Sequence, residues 1–232
     1  MTFDLTPSQT QRLSDMRALA ARLAPMAATI DATGRVPDDL MQQLERAGVW
    51  ADTALDAVLA LEALAAASGA AAARVALGAA GTADGLAGLR GLGPVNAPSS
   101  RQQLAMAAVC LGLGRAALDE ALGVSRQRGD RPGGEPDAAP HWMLADAATE
   151  MDAARLLVHA AADGHGPGAA AALVFAGGAA ARAVEAALRI VGAEGYRPGS
   201  VLERCSRDVR AAQLLFGTED RLRRQAADAL LG

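Results

Sequence analysis

Apolar residues recur every three or four positions along almost the whole chain, which is the spacing of one helix face. Leu13, Met16, Leu19 and Leu23 set this period near the start. Thr6 stands as an N-cap, Pro7 suits the first helical position, and Gln9 closes a capping box three residues on. Pro25 is expected to end this helix and residues 31–37 to form a loop. Pro37, Asp38 and Asp39 open a second helix with acids near its positive end. It carries Leu40, Met41 and Leu44 and stops at Gly48. Residues 54–68 predict a third helix and 70–89 a fourth, the latter weakened by Gly78, Gly81, Gly85 and Gly88. Two prolines, two glycines and a serine pair make residues 91–103 a linker. Beyond it the period predicts long helices over 102–127, 141–163 and 168–191, then shorter ones over 200–215 and 218–231. The stretches 128–140, GHGPG and GAEGYRPGS read as loops, and nothing reads as a strand.

Composition points the same way. Hydrophobic residues make up 51% of the chain and aromatics only 3%, so the apolar content is mostly Ala, Leu and Val. Small side chains on a helical period let helices approach closely, whereas a β-sandwich would use more β-branched and aromatic residues. Net charge is −4 and the pI about 5.4, which argues against nucleic acid as a partner. There is no lysine; all 22 basic residues are arginine. Cys110 and Cys205 lie far apart and outside any CxxC pair, so two free thiols in a reducing cytoplasm are expected. The N-terminal residues have neither a basic n-region nor an apolar h-region, so no signal peptide is expected. Arg or Asp interrupts the longest apolar stretches, and no membrane span is expected. His141, His159 and His165 are not at metal-ligand spacing, and no metal is assigned. Trp50 and Trp142 are expected as core or interface anchors. Asp152 and Arg155 face each other at i,i+3 and read as structural. The glycines at 176–178 and 192–195 follow no strand and make no dinucleotide fingerprint.

Five strings in the second half occur in one order: LGLGRAALDEAL, MLADAATEMDAARLL, EAALRIVGAEGY, VLERCSRDVRAAQLLFGTED and ALLG. In that order and spacing they resemble the C-terminal helical domain of acyl-CoA dehydrogenases over about residues 102–232. LTPSQTQRLSDMRALAARLAP and MQQLERAGVW are similar, more weakly, to that family's N-terminal helices. The resemblance implies an all-α fold, with an N-terminal helical domain over 1–92 and a C-terminal four-helix-bundle domain over 104–232. A linker over 93–103 stands where the family carries a middle β-domain, which is absent here.

The family's chemistry is α,β-dehydrogenation of an acyl-CoA thioester with FAD, and its base is a carboxylate. In most members that base is the Glu of YEGT; here the segment is Leu215, Phe216, Gly217 and Thr218. A phenyl ring at Phe216 accepts no proton. Glu219 is the displaced candidate, although an acid there also suits the first turn of a helix. Other branches place the base at the start of the bundle's first helix, where this chain has Arg101, Gln102 and Gln103. Among flavin-side positions the resemblance assigns Arg126 (from RxQFG, whose Gln-Phe pair is lost), Gly192, Gly195, Tyr196 and Thr218. Glu203, Arg204, Arg207, Asp208 and Arg210 match ERxxRDxR, read as an i,i+4 network rather than a phosphate site.

Three functions follow. The first is a catalytically impaired partner subunit, homo- or hetero-oligomeric, that completes the FAD site of a full-length acyl-CoA dehydrogenase. The second is an enzyme, flavin-dependent or non-redox, acting on an acyl-CoA or acyl-carrier thioester. The third is a helical interaction scaffold with Phe216 filling the cleft.

Overall fold

Capping fixes where the helices begin. The Thr6 hydroxyl accepts from the Gln9 amide at 3.2 Å and the Thr6 amide donates back to Gln9 Oε1 at 3.0 Å. Two donors without helical partners are thus satisfied at the start of α1 (Pro7–Leu23), as the sequence predicts. α1 ends before Pro25, as expected, yet Pro25 does not end the helical course. It sits in a 3-10 turn (Ala24–Met26), and the chain resumes as α2 (Ala27–Thr33). A proline in a first turn gives up only an amide that has no helical partner there. The start of the expected loop is therefore helical, and α2 buries Ile30 and Asp31.

α3 (Asp38–Arg46) opens on Asp38 and Asp39. α4 (Ala54–Ala67) has a second capping box, in which Thr53 Oγ1 accepts from the Asp56 amide and Asp56 Oδ2 accepts from the Thr53 amide at 3.1 Å. Burial pushes the Asp56 carboxyl up, yet the donors of Thr53 outweigh it and hold the group below its ordinary value. α5 is Gly69–Leu77.

This computed structural model describes residues 5–47, 49, 53–77, 98–129, 138–166 and 168–231. The far end of the fourth predicted helix, Trp50 and most of the linker lie outside the described residues. Ser99 caps α6 (Ser100–Gly129): its hydroxyl accepts from the Gln102 amide and Gln102 Oε1 accepts from its own amide. α6 thus starts two residues before the period predicted. α7 (Ala138–Ala162), α8 (Ala169–Val191), α9 (Val201–Leu215) and α10 (Glu219–Leu231) follow. No strand occurs among the described residues.

α6 is the axis. It packs on α4 along one side and on α8 along another, with α7 and α9 closing the bundle. Small residues set these distances. A Cβ on Gly112 would lie 2.4 Å from the carbonyl oxygen of Glu62 and 2.5 Å from Ala65 Cβ, so only glycine lets α6 and α4 meet there. α8 answers with Ala172, Ala176, Ala179, Ala180, Ala183 and Ala187, all buried. One contiguous core runs from Met16 to Leu222 and takes in residues from both ends of the chain. By length and composition, α8 and the turn after it (Ala169–Tyr196) could cross a membrane. Arg182 interrupts this stretch. The helix lies in the bundle core, with 13 residues buried.

Ion pairs join the N-terminal helices to the bundle. Arg207 of α9 reaches Asp31 of α2 with two nitrogens, at 2.6 and 3.2 Å, and holds Glu203 one turn back at 2.5 and 2.9 Å. These partners push the guanidinium pKa upward. Glu62 of α4 faces Arg155 at 3.1 Å and His159 at 3.4 Å, both on α7. Arg155 therefore pairs across helices rather than with Asp152. Trp142 is 64% exposed on α7 and is no core anchor.

Candidate functional site

The residues singled out by sequence fall into two groups at opposite ends of the bundle. α9 has 15 residues and so spans about 22 Å. Gly192, Gly195 and Tyr196 precede it; Phe216, Thr218 and Glu219 follow it.

At the first end α8 finishes at Gly192, which has φ 79° and ψ −147°, a backbone region essentially restricted to glycine. The chain then turns through Gly192–Tyr196. Gly195 is buried, and a Cβ on it would press on Leu202 and Leu188 at 3.0 and 3.1 Å. Tyr196 is 65% exposed. The end of α6 arrives at the same place, but through a residue the sequence reading did not assign. Arg128, not Arg126, donates to the carbonyls of Ile190 and Val191 at 2.5 and 3.0 Å. A cation satisfying the last carbonyls of a helix is a C-cap contact. Arg126 is exposed. The signal that could have found Arg128 is its position in the last turn of a long helix, beside a glycine-terminated one.

At the second end Phe216 closes α9 and is 1% exposed, among the largest fully buried side chains of the fold. Full burial of its ring favours folding by roughly 2–3 kcal/mol. Thr218 is exposed and caps α10, its carbonyl accepting from the amides of Arg221 and Leu222. Glu219 pairs with Arg223 at 2.6 Å. Gln103 lies 1% exposed on α6; its amide nitrogen donates to Gln225 of α10 at 3.0 Å, while its Oε1 meets no donor.

Three pockets are described, and Phe216 and Thr218 line none of them. A narrow crevice lies between α6, α8, α9 and α10, walled by Cys110, Leu173, Gly177, Gln213, Glu219 and Leu222. A second crevice lies between the α4–α5 turn and α9, with Asp31, Ser68, Arg204, Cys205 and Asp208. Each has room for about one water, near 20 Å³. An open groove of about 270 Å³ runs between α7 and α8, flanked by Glu150 and Arg182, which pair at 2.6 Å, and by Glu185 and Arg189. Burial pushes both thiols up to about 12; for Cys205 the neighbouring Asp208 adds to this. Neither is poised as a nucleophile.

On one chain these positions do not fit a flavin. Arg126, Tyr196 and Thr218 are exposed, the two groups are separated by the length of α9, and no described pocket joins them.

Among the described residues the architecture is an all-helical bundle packed around one long central helix. The family described as acyl-CoA dehydrogenase, C-terminal domain, matches residues 90–231. The 3-sulfinopropanoyl-CoA desulfinase of Paraburkholderia xenovorans is 39% identical over 147 residues, which is 60% of this chain and 37% of that protein. An acyl-CoA dehydrogenase of Bacillus subtilis is 37% identical over 139 residues, 56% of this chain and 36% of that one. The match thus spans little more than a third of these relatives. Butyryl-CoA dehydrogenase from Megasphaera elsdenii superposes with a TM-score of 0.83 at 18% identity, covering 100% of both chains. The glutaryl-CoA complex of glutaryl-CoA dehydrogenase gives 0.78 at 18% identity, covering 100% of this chain and 97% of that one. This chain belongs to the acyl-CoA dehydrogenase family, and its described residues lack that family's middle β-domain.

Proposed function

We propose that this chain is a catalytically impaired subunit that partners a full-length acyl-CoA dehydrogenase, in the cytoplasm. The observation that carries this is Phe216. The resemblance assigns it the base position, and the ring is 1% exposed inside the core. Neither candidate position supplies a free carboxylate: Glu219 is exposed and held by Arg223, and the alternative position offers only Arg101, Gln102 and Gln103. The flavin-side positions support a shared site, because one chain alone does not gather them. FAD is then held where a second chain supplies the rest of the pocket. On this reading residues 1–92 and 104–232 are the family's two helical domains joined by 93–103.

A second reading has its own support. A relative bears the name of a desulfinase acting on an acyl-CoA, so the family is not confined to proteins named dehydrogenases. This chain would then act on an acyl thioester without flavin redox chemistry.

The test is a visible absorption spectrum of the purified chain, alone and after co-expression with a full-length homologue. A flavin band is expected only in the co-purified complex, at less than one flavin per subunit. A band from the chain alone, or turnover of an acyl-CoA panel by the chain alone, overturns the partner reading.

A further inference from the structure

The last helix is attached differently from every other long helix. α10 has 13 residues, and only Leu222 is buried among them. Leu230 and Leu231, at its far end, are 85% and 86% exposed. Besides Leu222 and the partly buried Ala226, which rest on the core beside α8, its described side-chain tie to the neighbouring helices is the hydrogen bond from Gln103 to Gln225. That bond leaves Gln103 Oε1 buried and unmatched, so the latch is imperfectly satisfied. α10 joins α9 through Gly217, whose φ of 101° frees the joint from side-chain constraint, while Phe216 anchors the α9 side. Beneath α10 lies the narrow crevice, roofed by Glu219 and Leu222 of α10 itself and floored by Cys110, Leu173 and Gly177.

We propose that α10 is a strap: it swings about Gly217 while the bundle stays folded, and its opening uncovers the apolar crevice that ends at Cys110. Helices with few buried contacts open at lower free energy than the core, in units of this size. The strap stands independently of the partner-subunit reading, since it needs neither flavin nor a second chain.

Cys205 supplies an internal control. It is buried and its thiol is raised to about 12 like that of Cys110, but it faces the α4–α5 turn, away from α10. The experiment treats the native full-length chain with N-ethylmaleimide and reads each thiol by peptide mapping. Cys110 is expected to react at least tenfold faster than Cys205. Leu222→Ala is expected to speed Cys110 a further tenfold and to leave Cys205 within twofold. Gln225→Ala, at an exposed position, removes the hydrogen bond from Gln103 and is expected to speed Cys110 about threefold while leaving Cys205 within twofold. Hydrogen exchange in the unaltered chain should show the α10 amides far less protected than those of α8. Equal rates at the two thiols, equal acceleration of both by Leu222→Ala, no reaction at either, or α10 protection matching α8 would each overturn the strap.

Discussion

α4 packs on α6 and α10 on α8, and the chain holds them in opposite ways. α4 meets α6 backbone to backbone at Gly112, buries eight of its 14 residues, and is pinned to α7 through Glu62. α10 buries one of 13 and shares one side-chain hydrogen bond with α6. α4 is apolar on nearly every face, whereas α10 carries Glu219, Asp220, Arg221, Arg223 and Arg224 in its first turns. α6 answers each accordingly: with a glycine that admits the α4 backbone, and with a glutamine that has one amide atom satisfied. Periodicity makes a helix, but the opposing surface decides how firmly it is kept.

The largest way to break this contrast is Gly112→Val. The added atoms would meet the Glu62 carbonyl and Ala65, and neither is the end of a flexible side chain. We expect a loss of about 3 kcal/mol, seen as a fall in Tm of roughly 6–12 °C. An unchanged Tm would show that α4 is not held by close approach. Next comes Arg207→Met, which leaves Asp31 and Glu203 facing each other without a cation. Stranding buried carboxylates costs about 3–5 kcal/mol. These groups are about a tenth to a quarter exposed, so about 2 kcal/mol is expected. Chemical denaturation should register it, with the N-terminal helices opening before α8. The smallest is Thr53→Ala, about 1 kcal/mol for the lost cap. It carries a pH signature. The Asp56 carboxyl is lowered in the fold, so its contribution is complete above the ordinary carboxylate range and is lost as the pH falls through the folded value. The cost of Thr53→Ala should therefore shrink on acidification, and a constant cost from neutral pH to pH 3 would refute the linkage.

The helices themselves were readable from spacing and caps. Thr6 with Gln9, and Asp38 with Asp39, fall where the sequence predicts, because a cap is a local bond between neighbours. α2 was missed because Pro25 looks like a stop unless the next turn is known to restart on it. Partners were harder. Arg155 has Asp152 at a suitable spacing in sequence, but Glu62 is nearer to it in space. Arg207 was legible as a partner of Glu203, one turn away, and not of Asp31, 176 residues away. The site positions come from the resemblance, and the sequence says nothing of how they sit in space. That they split between two ends of the bundle follows from the direction of α9, which only the packing of α8 and α9 reveals. Arg128 rather than Arg126 reaches the end of α8 because two residues along a helix is a change of face.

Among the described residues the ion pairs are, apart from those of His159 and His165, all made by guanidinium groups. An amine would begin to surrender its proton near pH 10, whereas a guanidinium keeps its own beyond about 12. Alkali therefore cannot discharge the cationic side of this fold before it attacks the chain by other routes. The same absence of lysine means that acylating reagents and acyl-transferring enzymes find no side-chain amine anywhere on its surface. A protein that belongs to a family named for acyl thioesters carries no side-chain amine for them to acylate.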